Sequence, residues 1–521
     1  MSSDHYFNVR QEINNTKIKL VIDGQAKFPV YMNLSDGKYY KHDNDTFLNM
    51  FYIEEEKRGF YPKENHSVPG VFEIDLKPNE TKEISFVCSF EENIEEINVS
   101  NLIKEEKRRL DKIVRKTNLI KLSNDAKYNE FIKELIFASD KFIVNRSAFG
   151  LHTIIAGYHW FLDWGRDSLI AFEGLVLKTK RYEIAREILL TTVRDIKFGL
   201  VPNGYSGFDN RPLYNSSDAS MLLFEAVQKY IDYTGDYSFV RERIYGRLEE
   251  IIENYSKRID VDDNNIFMDE DYLISTGSEN TQNTWMDAKA NGIAATPRNG
   301  KTVEINSLWY NSLMIIGNLT IRYKSKDEAK KYFDLAKKVK KSFNDKFYNS
   351  KKKCLFDVLE DPKIRPNQLF ALSLTNPVID PDSEKAYNII ETIEKKLLNK
   401  YGLKSLAKGE EKYTEIYEGD GFKRDMSYHQ GITWVWLLGL YYNSLKNMIK
   451  YEKRITYKKK LEEKLNDLVE TVLKTYEKEI NDRGCIQNIS EIYDSKAPYL
   501  PKGTIAQAWS VSEILRIILE K

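Results

Sequence analysis

Residues 168–177, "SLIAFEGLVL", and residues 181–197, "RYEIAREILLTTVRDIK", are near neighbours in the chain and require opposite surroundings. The first is apolar at nearly every position, so as a helix it must be buried all round. The second keeps one charged face, so as a helix it covers a core from outside. The pairing recurs downstream. "ASMLLFEAVQKYI" (219–231) is greasy and is followed by amphipathic "YSFVRERIYGRLEEIIENY" (237–255). "NSLWYNSLMIIGNL" (306–319) is greasy and is followed by charged "KDEAKKYFDLAKKVKKSF" (326–343). Helical periodicity from about residue 126 onward predicts twelve helices, at 126–144, 166–179, 181–197, 216–234, 239–258, 304–323, 326–347, 366–375, 384–399, 428–446, 455–480 and 504–519. Six buried and six covering helices in alternation describe six helical hairpins closed into a ring, an (α/α)6 barrel. An open solenoid of hairpins would alternate in the same way. However, these repeats share no consensus, and the connections before the greasy helices are long and polar, which favours the closed barrel.

Upstream the period changes. Residues 1–95 carry short alternating runs, "IKLVID", "FPVYMNL", "GVFEIDL" and "KEISFVCSF", separated by turn-forming "PGV" and "KPNE". They predict a smaller antiparallel, β-sandwich-like domain. Residues 101–117, "NLIKEEKRRLDKIVRKT", are charged with sparse apolar positions at helical spacing and predict a surface linking helix within 96–125. The helical domain then occupies 126–521.

The bulk composition excludes several classes of function. In 521 residues, Lys+Arg and Asp+Glu both number 79, so no positive field is available to hold nucleic acid. Aromatic residues make up 12% of the chain, a supply suited to flat apolar ligand faces as well as to cores. Cys88, Cys354 and Cys485 are widely spaced and odd in number, which points away from a disulfide framework and towards a reducing compartment. The opening "MSSDHYFNVRQE" has no apolar run, and no stretch approaches the ~20 apolar residues of a membrane span. A cytoplasmic protein is expected, with no membrane partner. No Cys/His/carboxylate grouping has metal spacing, and "GYSGF" lacks the lysine and context of a phosphate loop, so neither metal nor cofactor is expected.

The unusual segments all precede the greasy helices: "WFLDWGRDS" (160–168), "PLYNSSDAS" (212–220), "TWMDAKANGIAATPRNGKTVEIN" (284–306), "KIRPNQ" (363–368), "EGDGFKRDMSYHQG" (418–431) and "SEIYDSKAPYLPKGT" (490–504). In a ring of parallel inner helices these N-terminal ends share one face, and the segments line one cavity with helix N–H donors directed at it. Any single Asp, Ser or Asn there is also an ordinary N-cap. Caps have no need of tryptophan, whereas a polyhydroxylated ring needs aromatic faces for its C–H surfaces and bidentate groups for its hydroxyls. The residues expected to face such a ring are Trp160, Asp163, Trp164, Arg166, Asp167, Asn215, Asp218, Trp285, Glu304, Asn306, Asp425, His429, Gln430 and Gln507. Two bland alternatives stand beside them: a structural Arg166–Asp163 pair, and a packed His429 at a helix start. Glycoside hydrolysis usually needs one protonated and one ionised carboxyl. Asp287, between Met286 and Ala288 and near Trp285, has the apolar setting that raises a carboxyl pKa and is the candidate acid. Glu491, flanked by Ile489 and Tyr493, is the candidate base, although spacing alone favours a solvated loop carboxylate. Glu304, Asp218 and Asp425 compete with both.

The motifs resemble a known family. "GYHWFLDWGRDSLIAFEGLVLKTKRYEIAREIL", "VPNGYSGFDNRPLYNSSDAS", "TWMDAKANGIAATPRNGKTVEINSLWYNSL", "RDMSYHQGITWVWLLG" and "SEIYDSKAPYLPKGTIAQAWSVSEILR" are similar, in family order, to the amylo-α-1,6-glucosidase domain of glycogen debranching enzymes over about residues 130–521. Residues 1–95, with "RGFYPKENHSVPGVFEIDL", are similar to the latter part of the β-rich domain of archaeal and bacterial members, and are shorter at the start. The resemblance implies an inverting, exo-acting glycoside hydrolase on a glucoamylase-related (α/α)6 barrel. Its substrate would be the single α-1,6-linked glucose left at a branch of glycogen or a limit dextrin. It also implies Asp287 as general acid, Glu491 as general base, and Arg166 with Asp167 as holders of the non-reducing glucose. The large eukaryotic members add a glucanotransferase barrel, for which these residues carry no motif. The rival readings are a glucoamylase-like α-1,4-glucosidase, a trehalase, and a glycan-binding protein without catalysis. Asp287→Asn and Glu491→Gln are each expected to lower kcat by several orders of magnitude while the folded circular-dichroism spectrum is retained. Near-normal turnover in either variant removes that residue from the chemistry.

Overall fold

The structure, a computed structural model, describes residues 8–23, 28–94, 97–117, 126–146, 150–206, 211–279 and 281–520. The chain divides into two compact units, Met1–Lys112 with Gly419–Gly421, and Ile113–Glu418 with Phe422–Lys521. It is mainly α-helical, with small antiparallel sheets near the N-terminus.

In the first unit, β1 (Val9–Asn14), β2 (Lys17–Ile22), β3 (Val30–Leu34) and β6 (Phe86–Ser89) form a four-stranded antiparallel sheet. Ile18, Leu20, Tyr31 and Leu34 are its buried side chains, and Ile18 and Leu20 on β2 follow the two-residue period of a strand. β4 (Lys38–Phe51) and β5 (Lys63–Glu73) form a separate long hairpin with two register shifts, joined through the short helix α1 (Ile53–Lys57). The charged linking segment is helix α2 (Val99–Lys116), and none of its residues is buried. Residues 118–125 of the expected linker lie outside the described residues.

The second unit holds the remaining helices: α3 (Ala126–Lys141), α4 (Gly165–Phe172), α5 (Tyr182–Arg194), α6 (Ala219–Thr234), α7 (Tyr237–Phe239), α8 (Tyr245–Tyr255), α9 (Val303–Tyr323), α10 (Lys326–Lys346), α11 (Phe370–Ser373), α12 (Glu384–Lys396), α13 (Gly421–Ser427), α14 (Leu437–Tyr451), α15 (Ile455–Asp482) and α16 (Ala508–Leu519). α4 continues through a π-helical turn, Glu173–Leu177. The contrast read from sequence is visible in burial. α9 and α10 each have 21 residues, and α9 buries residues on every side. α10 buries only Ala329, Tyr332, Ala336, Val339 and Phe343, a single stripe three and four residues apart. The greasy helices are neighbours in a cycle: α4 packs on α6, α6 on α9, α9 on α11, α11 on α14, α14 on α16, and α16 back on α4. α10 lies along α9, and α15 along α14.

Two expected helices differ. Residues 428–436 do not extend α14. Gly431 has φ +126° and a Cβ there would meet Thr414 O at 2.4 Å, so the chain turns. The β-branched and aromatic run that follows forms a strand, Thr433–Trp434, instead. The 366–375 helix is only a 3-10 turn, Pro366–Leu369, followed by α11, and it stops ahead of Pro377. Several strands of two or three residues lie outside the β-rich region expected from sequence. Leu398–Asn399, Gly402–Lys404, Thr433–Trp434, Ile492–Tyr493 and Pro501–Lys502 form a five-stranded sheet. Among the described residues no helix is long and apolar enough to cross a membrane, and no group of His, Cys, Asp and Glu could hold a metal ion.

The contact that closes the cycle is tight. A Cβ on Gly174 would lie 2.1 Å from the Ser512 carbonyl oxygen of α16. Gly174→Ala is therefore expected to lower stability by about 1–3 kcal/mol in denaturant unfolding, despite alanine's better helix propensity, because backbone has to move.

Candidate active site

The first turn of α4 carries Arg166 and Asp167. Trp164, in extended conformation, ends the loop before it and makes no side-chain cap bond. Side-chain cap bonds are likewise lacking from Asp218 at α6, Thr302 at α9, Trp436 at α14 and Gln507 at α16, and from Arg181 and Arg454 at the covering helices α5 and α15, whereas α10 and α12 are capped by Ser325 and Ser383. Ser216 Oγ accepts from the Ala219 N–H at 3.2 Å and so caps α6, whereas the Asp218 side chain is occupied elsewhere and the capping alternative does not describe it. Its two carboxylate oxygens each accept from Arg166 Nε at 2.8 Å, and Ser216 Oγ donates to it at 2.6 Å. Arg166 Nη1 also donates to Asp287 Oδ2 at 2.7 Å. Arg166 is therefore not Asp163's partner. Asp163 accepts from Arg146 instead, at 3.0 Å from Nε to Oδ2.

An open hollow of about 440 Å³ is lined by Phe161, Trp164, Arg166, Asp167, Trp285, Asp287, Tyr428, Trp434, Glu491 and Trp509. Its parts are tied together by short strands. Gly157–Tyr158, just before the first segment, pairs with Ala506–Gln507, just before α16. Trp434 pairs with Ile492, which fixes Glu491 at the strand's start. Glu491 Oε2 accepts from the Thr504 N–H at 3.1 Å. The turn that presents this N–H requires glycine at 503, where φ is +67° and a Cβ would lie 2.2 Å from Glu491 Oε2. Gln507 Nε2 donates to Asp167 Oδ1 at 3.3 Å.

The electrostatics separate the groups. Burial opposes the charge on Arg166, but Asp218, Asp287 and Asp167 around it outweigh that and raise its pKa. Burial lifts the Asp287 carboxyl above its ordinary value, with Arg166 pulling it down and Asp218 adding to the rise. About a third of the Asp287 side chain remains open to the hollow. Burial raises Glu491 to about 7; hydrogen bonds from Tyr428 and Thr504 hold it back, and the charge of Asp287 adds to the rise. Asp167 is raised strongly, by burial first, against the pull of Arg166.

Of the expected sugar-facing residues, Trp164, Arg166, Asp167 and Trp285 line the hollow, while Asp218 and Gln507 reach it through Arg166 and Asp167. The others do not line it. Glu304 is buried against Arg298, which donates to both its oxygens and to Asp357 Oδ2 at 2.7 Å. Asp357 accepts from Asn367 at 2.7 Å, and Asn367 accepts from Trp285 Nε1 at 2.6 Å, so this network holds the tryptophan wall from behind. Asn306 is used up on backbone at Ile274 and Thr302. Gln430 bonds Ala295 O, Thr296 and Arg365. His429 is a packed histidine, stacked on Trp434 at 4.9 Å, with neither ring nitrogen hydrogen-bonded. Burial, reinforced by Arg365, Arg166 and Arg298, keeps it neutral. Trp160 is half exposed, and Asn215 and Asp425 are half-buried outside the lining. Gly207–Asn210 of the "GYSGFDN" motif lie outside the described residues.

Phe161, Tyr428, Trp434 and Trp509 complete the hollow and were not singled out from sequence. The aromatic richness of "SYHQGITWVW" and "AQAW" was the available signal. Which ring faces the hollow depends on the strand at Thr433–Trp434.

The Amylo-alpha-1,6-glucosidase family model matches residues 137–516, and the model named Glycogen debranching enzyme N terminal matches residues 2–83. A Glycogen debranching enzyme of Saccharomyces cerevisiae is 25% identical over 367 residues, covering 53% of this chain and 24% of that protein. The chain thus spans about a quarter of that relative's length. Glu304→Gln is expected to lower stability by about 3 kcal/mol or more, because it leaves a buried guanidinium under-compensated. Chemical denaturation measures this.

Proposed function

The chain belongs to the amylo-alpha-1,6-glucosidase family and is a glycoside hydrolase; on that premise we propose that it removes the single α-1,6-linked glucose at branch points of glycogen or limit dextrin, with inversion. The observation that carries this reading is the shared hollow. Asp287 and Glu491, from widely separated segments, both line it together with the Arg166–Asp167 pair and three tryptophans besides Trp164. Asp287, with its raised carboxyl pKa, donates a proton to the glycosidic oxygen as the C–O bond breaks. Glu491 takes a proton from the water that attacks the anomeric carbon from the opposite side, so β-glucose leaves first. Inversion requires the two carboxyl groups to be about 6.5–9.5 Å apart. Arg166 and Asp167 hold hydroxyls of the terminal glucose, and the tryptophans cover its C–H faces. A sugar hydroxyl that draws Arg166 away from Asp287 removes the strongest force keeping that carboxyl ionised.

The closed cycle of α4, α6, α9, α11, α14 and α16 supports an (α/α)6 barrel. We place the catalytic domain at 126–521, after a β-rich domain over 1–95 and a linker over 96–125.

Proton NMR of the first product from a phosphorylase limit dextrin tests the reading. Free glucose appearing first as the β anomer, with little release from linear maltooligosaccharides, is the expected result. Release from linear chains instead would point to an α-1,4 enzyme, and an α anomer would contradict inversion. A pH test follows from Glu491. The base must be ionised, so kcat/KM should fall as pH drops through about 7. Tyr428 holds that pKa down, so Tyr428→Phe should move the acidic limb to higher pH. An unmoved limb separates Tyr428 from Glu491.

A further inference from the structure

Thr504 and Gln507 connect two residues of the candidate site that the chain keeps far apart, Glu491 and Asp167. The Thr504 N–H donates to Glu491 Oε2 at 3.1 Å, and the Glu491 N–H donates to the Thr504 carbonyl at 3.0 Å. Backbone therefore clamps Thr504 to the candidate base. The Thr504 hydroxyl is used separately and donates to Gln507 Oε1. Gln507 Nε2 in turn donates to Asp167 Oδ1 at 3.3 Å. Thr504 and Gln507 are fully buried, so water does not compete for these bonds. The Gln507 N–H is also fixed, by the Ile489 carbonyl at 3.0 Å. Opposite the amide, residue 157 is glycine, and a Cβ there would lie 2.1 Å from Gln507 Oε1.

Asp167 depends on this amide. Among the described residues, Gln507 is the one side chain that donates a hydrogen bond to it. Arg166 spends its N–H groups on Asp218, Asp287 and Ser216, and supports the Asp167 carboxylate only through its charge. Burial works against that charge and favours the protonated acid, which donates where the carboxylate accepts. An amide N–H directed at Oδ1 requires a bare oxygen there. Turned over, the amide would set its own oxygen against the carboxylate. Without the Thr504 hydroxyl, Oε1 would be a buried acceptor with no donor, and the amide would be drawn off Asp167 to find one.

We propose that Gln507 and Thr504 are positioning residues for the terminal glucose. Gln507, oriented by the Thr504 hydroxyl, holds Asp167 as an acceptor for a sugar hydroxyl. Thr504, clamped to Glu491, fixes that acceptor relative to the base. The proposal rests on the reading of Asp167 as a glucose-holding residue and of Glu491 as the base.

Two measurements on the full chain test it: titration with D-glucose followed by tryptophan fluorescence, and steady-state glucose release from a phosphorylase limit dextrin. Gln507→Leu should weaken glucose binding and raise KM about tenfold while kcat stays within about twofold, the pattern of a lost hold on substrate. Thr504→Val keeps the N–H to Glu491 and should act in the same direction, by about threefold to tenfold. Thr504→Ser, which retains the hydroxyl, should restore the affinity of the unaltered protein. The double variant Thr504→Val/Gln507→Leu should bind glucose no more weakly than Gln507→Leu alone, because the hydroxyl acts only through the amide. Losses that add in the double variant overturn the proposal. So do unchanged glucose affinity in Gln507→Leu, a fall in kcat at constant KM, or an unaltered protein that binds no glucose. Should Gln507→Leu not fold, Thr504→Val against Thr504→Ser decides, and equal affinities overturn the proposal. Affinities that fall as stated in a protein releasing no glucose from dextrin would reject the catalytic reading and leave this one standing.

Discussion

A buried guanidinium has to be neutralised where it stands, and Arg166 dictates much of this molecule. Its charge is held between Asp218 and Asp287, at 2.8 and 2.7 Å. Leaving either acid out would strand a charge in a low-dielectric interior at a cost of several kcal/mol. The three residues come from the starts of α4 and α6 and from the long loop before α9, so satisfying one charge brings three distant segments together. The same interaction ties the candidate acid to the residue that modulates its protonation.

Around that centre the start of α6 divides its polar residues between capping and the site: Ser216 accepts from the Ala219 N–H at 3.2 Å. Asp218 sits at the cap position of α6 and spends its oxygens on Arg166. Short strand pairs hold the segments ahead of the greasy helices: Gly157–Tyr158 with Ala506–Gln507, and Trp434 against Ile492. Behind the hollow, Glu304, Arg298, Asp357 and Asn367 form a paired network that ends on the Trp285 indole. Rigid polar backing of an aromatic wall is what a site needs to bind a sugar in one orientation.

Much of this was legible along the chain. All-round apolarity in 168–177 and one-sided apolarity in 181–197 follow from local periodicity, and burial in α9 and α10 obeys the same rule. The segments that meet at the hollow were also recognisable by composition. Four of the expected residues lie away from the hollow. Glu304 and Asn306 belong to the same polar segment as Asp287, while Gln430 and His429 follow Tyr428, and all four have the right chemistry for a sugar. Each instead faces inward, to Arg298, to backbone, to Arg365 or to Trp434. Side-chain direction at Gln430 and His429, in an irregular loop, has no period to read, and Glu304 and Asn306 sit in the first turn of α9, which is buried on every side and so offers no polar face to read. Residues 428–436 failed differently: an apolar run that fits a helix became a strand because Leu403 and Ile492 offered it partners.

The sequence by itself determined which segments are helices, which of those are buried, and where chemistry-bearing residues cluster, because hydrophobic period and composition are local properties. Only the tertiary structure decided which side chain of each cluster enters the hollow, that Asp218 serves Arg166, and that Glu491 rises to about 7. Those outcomes depend on burial and on charges brought close by folding, and neither exists until distant segments meet.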